Sequence, residues 1–109
     1  MHSARASEIT SISGSLSSAE TTGSVYMPKN YSNVTSFFAG AKEDGSNSSA
    51  TYQVELRNSN GDRRAFQMTL KRGQSGYATI GSMEKGTWNY TIKRSSGTGT
   101  FVYVITFSG

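Results

Sequence analysis

The chain has 109 residues, no cysteine, a formal charge of +4 at pH 7 and a hydrophobic content of only 34%. That length bounds it to one domain able to fold without cross-links, and the missing thiols exclude disulfides, thiolate metal sites and cysteine nucleophiles. No run approaches the ~20 apolar residues of a membrane-spanning helix, and the positive charge favours anionic partners such as nucleic acid, cell-wall polymer, lipid headgroups or an acidic protein, although a charge of this size also serves solubility alone.

Residues 1–8 show no periodicity and read as a disordered N-terminal tail ahead of a single domain over 9–109. Ala4-Arg5-Ala6 before Ser7 has the small-x-small pattern of a signal-peptidase site, without the apolar segment of a complete signal peptide. Together with the absence of cysteine, this points to a secreted protein of bacterial origin. From Ile9 onward short apolar clusters recur between turn formers. They predict eight strands near 9–16, 22–27, 34–40, 50–57, 64–71, 77–83, 86–94 and 100–108. No window repeats at the helical period, so the class is all-β.

The stretch VYMPKNYSNVTSFF carries the sole proline, Pro28, and four rings, Tyr26, Tyr31, Phe37 and Phe38. It reads either as a loop exposing aromatics on which sugars stack or as partial core beneath a strand connection. The next segment, Ala41 to Ser49, is the most polar of the chain and reads as a loop. Glu43, Asp44, Ser46 and Asn47 offer oxygen ligands there, but they lack the spacing and closing glutamate of a calcium loop, so no metal or cofactor is expected.

Parity settles the middle hairpin. Tyr52, Val54 and Leu56 share one face of their strand, as do Phe66, Met68 and Leu70 of the next. Opposed residues share a face, so paired numbers must sum to an even value. A two-residue Asn60-Gly61 turn gives an odd sum and sets apolar against polar. A three-residue loop, Ser59-Asn60-Gly61, opposes Asn58 to Asp62, Val54 to Phe66 and Tyr52 to Met68. It requires a type I turn with Gly61 in the left-handed region.

The same test applies to the last two strands. Trp88, Tyr90 and Ile92 are even; Phe101, Tyr103, Ile105 and Phe107 are odd. A four-residue loop, Ser95 to Thr98, would pair Arg94 with Gly99 and bring Ile92 opposite Phe101, Tyr90 opposite Tyr103 and Trp88 opposite Ile105. Val102 and Val104 make the final strand apolar on its second side as well, which predicts a central strand with that side at least partly covered. The expected architecture is an antiparallel two-sheet β-sandwich of seven or eight strands, with a flattened β-barrel as the alternative.

No residue constellation supports catalysis. The one histidine is His2 in the tail, and no two carboxylates are placed across an evident cleft, so the chain reads as non-enzymatic. The basic residues are the remaining clue. Arg63-Arg64, Lys71-Arg72 and Lys93-Arg94 lie at the ends or polar faces of the two hairpins, either as one binding patch or as ordinary protection of sheet edges. Rings and cations alternate onto opposite faces, which argues against a nucleic-acid stacking surface.

The segments GTWNYTI, SSGTG and TFVYVITF together resemble the closing third of the pre-peptidase C-terminal modules appended to secreted bacterial peptidases. The resemblance covers about 40 residues at the chain's end. It implies a β-sandwich with an extracellular binding or accessory role and names no ligand; the acidic calcium-binding positions of some such modules have no match here. The resulting expectation is a small exported, non-catalytic binding module. Its partner would be an anionic polymer, a carbohydrate-rich surface or an acidic protein, met through Arg63, Arg64, Lys71, Arg72, Lys93 and Arg94. The alternative is a secreted protein-binding inhibitor or toxin-type effector acting through its loops.

Overall fold

The computed structural model describes residues 7–16, 20–43, 50–70, 75–96 and 101–109, with the backbone alone at 39–43, 70 and 101. Eight strands appear: β1 (Glu8–Leu16), β2 (Glu20–Met27), β3 (Tyr31–Glu43), β4 (Ala50–Asn58), β5 (Arg63–Leu70), β6 (Gly76–Met83), β7 (Gly86–Ser96) and β8 (Phe101–Ser108). They form two four-stranded antiparallel sheets, ordered β1-β8-β3-β6 and β2-β7-β4-β5. This is the double Greek key of a jelly roll, an open sandwich and not a closed barrel.

Alternation along each strand builds the core. Trp88, Tyr52, Phe38, Phe107, Leu56, Ile92 and Ile105 point between the sheets and are fully buried. At ~1.5–3 kcal/mol for each large apolar side chain, this layer supplies most of the drive to fold. Two glycines accommodate rings. Tyr103 lies opposite Gly14 and Tyr90 opposite Gly23. A Cβ at Gly14 would sit 2.8 Å from the Tyr103 hydroxyl oxygen, and one at Gly23 would overlap the Tyr90 ring. Each ring folds over a bare backbone and covers it.

The middle hairpin forms as the parity argument requires. Tyr52 pairs with Met68 and Val54 with Phe66. Gly61 has φ +86°, its N–H donates to the Asn58 carbonyl at 3.2 Å, and Asn58 Oδ1 accepts from the N–H groups of Asn60 and Asp62 at 3.1 and 2.9 Å.

The final pair needs correction. β7 and β8 are not hydrogen-bonded neighbours: β7 pairs with β2 and β4, and β8 with β1 and β3. The expected pairing of Arg94 with Gly99 and of Trp88 with Ile105 does not occur. Trp88 and Ile92 still meet Tyr103, Ile105 and Phe107 inside, but across the sandwich from the opposite sheet. β8 is central in its sheet, as its composition implies, yet its second side is open: Val102 and Val104 are 49% and 41% exposed. Ala41–Glu43 continue β3, and 25–38 is strand on both sides of a brief turn at 28–30. Phe38 is core, while Tyr26 is exposed.

Candidate functional site

The outer face of the β2-β7-β4-β5 sheet carries a groove of about 610 Å³. Its floor is a ladder of polar side chains, because the odd positions of β4, β5 and β7 all point away from the core. Register sets three rows across the four strands. The first is Glu20, Lys93, Gln53 and Gln67; the second Thr22, Thr91, Glu55 and Ala65; the third Ser24, Asn89, Arg57 and Arg63.

Several of these side chains are held by one another. Gln53 Nε2 donates to Gln67 Oε1 at 3.2 Å, which orients both amide planes across the β4–β5 ladder. Glu55 accepts from Arg57 Nε at 2.7 Å and from Arg63 Nε at 2.5 Å, one carboxylate oxygen each. Those two hydrogen bonds hold the Glu55 carboxyl below its ordinary pKa, Arg57 contributing most. An acid kept ionised in this way is a poor proton donor, which speaks against an acid–base role for Glu55. At the head of the face, the Thr51 and Thr69 hydroxyls hydrogen-bond at 2.9 Å.

Charge in the groove is nearly balanced. Glu20 and Glu55 face Lys93, Arg57 and Arg63 across the three rows, a surplus of one cation, so most of the chain's net +4 is not collected there. The lining offers planar amides, a guanidinium, hydroxyls and a fixed carboxylate, with donors and acceptors close together. It has the chemistry to hydrogen-bond a neutral, hydroxyl-rich ligand.

Of the six cationic residues expected to form a site, the structure describes Arg63, Arg64, Lys93 and Arg94. Arg63 and Lys93 line the same groove, two rows apart, roughly 13 Å along the strands. Arg64 turns to the inner side. Its Nε and Nη2 donate to the Ser82 carbonyl and hydroxyl at 2.7 and 3.2 Å, Nη1 donates to the Arg63 carbonyl at 2.9 Å, and the guanidinium lies 5.6 Å from the Trp88 ring centre. Arg94 is half-buried on the inward side of β7 opposite Tyr52. Lys71 and Arg72 lie outside the described residues, as do Asp44, Ser46 and Asn47 of the loop weighed as a calcium site. Among the described residues, no three histidines, cysteines or acids cluster as metal ligands, and no helix is long and apolar enough to cross a membrane.

Gln53, Gln67, Glu55 and Thr91 escape sequence reasoning because outward positions read as a solvated back. The signal present was register: the pairing that opposes Val54 to Phe66 also opposes Gln53 to Gln67 on the outward side of the hairpin.

No protein-family model and no curated protein matches the chain. Solved structures do resemble it in fold. A ruminal GH26 endo-β-1,4-mannanase aligns with TM-score 0.51 and 13% identity over 82% of this chain and 17% of its own, so the likeness is to a small part of that enzyme. Carbohydrate-binding module CBM36, solved with calcium and xylotriose, aligns at 0.49 and 14% identity over 95% of this chain and 92% of its own. A carbohydrate-binding module of the Cellvibrio mixtus lichenase 5A, solved with cellotriose, aligns at 0.49 and 9% over 94% and 89%.

Proposed function

We propose that this chain is a non-catalytic binding module, exported by a bacterium, that holds a neutral polysaccharide in the groove over β7, β4 and β5. The observation that carries the reading is the nearly charge-balanced polar floor: Gln53–Gln67 and Glu55–Arg63 present oriented donors and acceptors on rigid strands. Carbohydrate hydroxyls are at once donors and acceptors, so they match such a lining better than a polyanion does. A polyanion would require a large surplus of cations, and here three cations face two acids, Arg57 and Arg63 both being engaged by Glu55.

Retention on insoluble xylan, mannan and cellulose tests this. The wild type should bind at least one of them and stay bound at about 0.5 M salt, where exposed charge attraction is largely screened. Gln53→Ala with Gln67→Ala removes two amides from the floor without touching the core and should weaken retention about tenfold, the loss of roughly one net hydrogen bond's free energy. Binding only to a polyuronate or to nucleic acid, and its loss in salt, would overturn the reading in favour of a cationic patch.

A further inference from the structure

The outer face of the other sheet has a different chemistry. One row crosses all four of its strands: Ser11 on β1, Thr106 on β8, Phe37 on β3 and Tyr77 on β6. Tyr77 is 79% exposed, and its ring lies 4.5 Å from that of Phe37, centre to centre, at an angle of 39°. The half-exposed Val104 and Val102 extend the apolar strip along β8, with Ser13 and Ser15 opposite them on β1. Among the described side chains of these rows none is charged; on β3 the register sets Lys42 opposite Val102.

Phe37 and Tyr77 are a directly opposed cross-strand pair, which in itself supports the sheet. A tyrosine left this exposed, its ring tilted against a second one on a strip that continues to two open valines, also offers a contact surface. Among the described side chains the strip has four apolar members, two rings and two valines. A standard protein–protein interface buries about 800 Å² on each partner and some 20–30 residues a side, so a second copy or a globular partner is a poor fit. Rings flanked by neutral hydroxyls suit a ligand that is apolar on its faces and hydroxylated around its edge. A sugar ring has that form: its C–H face lies over an aromatic ring while its hydroxyls reach Thr106 and Ser11.

We infer that the Tyr77–Phe37 face is a second carbohydrate site, taking a neutral polysaccharide. It rests on the carbohydrate reading of the groove, and the two sites lie on opposite sheets. One short chain cannot reach both, because the two faces look in opposite directions across a core whose sheets stand about 10 Å apart. The module therefore bridges two polysaccharide chains.

Bridging is directly measurable. Protein is bound to insoluble xylan or mannan and then offered the same polymer in fluorescently labelled, soluble form. The wild type, shown to be monomeric by sedimentation velocity, should capture the soluble polymer. Tyr77→Ala should remain on the solid phase through the groove and capture about five- to tenfold less label. Tyr77→Phe keeps the ring and should capture normally. Gln53→Ala with Gln67→Ala, its groove weakened about tenfold, should capture correspondingly less label, and the retention it keeps should depend on Tyr77. Undiminished capture by Tyr77→Ala, with retention intact, would overturn the second site and leave the groove standing. Failure of the wild type to bind any of the polymers would overturn both readings together. A dimer abolished by Tyr77→Ala would assign this face to a second copy instead and so overturn the inference.

Discussion

Gly61 shows how one residue fixes the register of half a sheet. Its φ of +86° closes the Asn58–Asp62 loop, with no other atom within 4 Å of where a Cβ would stand. The glycine is needed for conformation and not for space. A β-branched residue in the left-handed region costs about 1–2 kcal/mol or somewhat more. Gly61→Val should therefore lower the unfolding free energy by about 2 kcal/mol, read from the urea midpoint at unchanged slope. Gly61→Asn should cost much less, because asparagine tolerates this region. If the two variants proved equally stable, backbone strain at Gly61 would not be what sets the loop.

Between elements, the joint from β5 to β6 closes one side of the sandwich, and two neighbouring arginines divide its labour. Arg64 ties β5 to the Ser82 carbonyl and hydroxyl of β6 and covers the Trp88 ring, whose Nε1 donates to the Glu84 carbonyl at 2.9 Å. Arg63 makes an exposed ion pair with Glu55 on the other side of the strand. Charge-assisted bonds to a backbone carbonyl are worth about 1.5–3 kcal/mol, reduced here because Ser82 is exposed, whereas an exposed ion pair is worth about 0–1. Arg64→Met should then cost about 1–2 kcal/mol in urea and Arg63→Met less than about 0.5. Equal costs would mean that the contacts with Ser82 and Trp88 contribute nothing beyond what an exposed ion pair does. Sequence alone had grouped the two as one basic pair. Alternation puts them on opposite sides, and only the fold shows what waits on each side. The same limit explains the two hairpins. β4 and β5 were legible because a short turn with a demanding glycine ties pairing to local sequence. For β7 and β8, parity correctly sends Trp88, Ile92, Tyr103, Ile105 and Phe107 inward. It cannot say whether two inward faces sit side by side in one sheet or look at each other across the core, since both bury the same side chains. That choice depends on pairing with β1, β2, β3 and β4, far away in the chain. The groove was hidden for a related reason. Its floor assembles odd positions of three strands and the start of β2, and no single strand contributes more than three of them.

At the scale of the whole molecule, the two sheets are joined by more than apolar contact. The Tyr103 hydroxyl, carried by β8, interacts with those of Tyr90 and Thr21 on the opposite sheet. Tyr103 is buried, and burial, reinforced by the neighbouring Tyr90, raises its pKa above the ordinary tyrosine value. In the unfolded chain the phenol ionises near its ordinary value of about 10. The folded state therefore keeps a proton that the unfolded state gives up. The stability this represents is fully present below about pH 10 and is lost as pH rises through the higher folded value. Each pH unit in that window removes up to about 1.4 kcal/mol for this one group. Tyr103→Phe separates the effect from the general loss of lysine charge. It should be about 1 kcal/mol less stable than the wild type at pH 8, having lost its hydrogen bonds, and the gap should narrow or reverse by pH 11. Urea midpoints at half-unit steps from pH 8 to pH 11 would show the two curves converging. Parallel curves would mean that the phenol ionises equally in both states, and that the contact between the sheets does not depend on its proton.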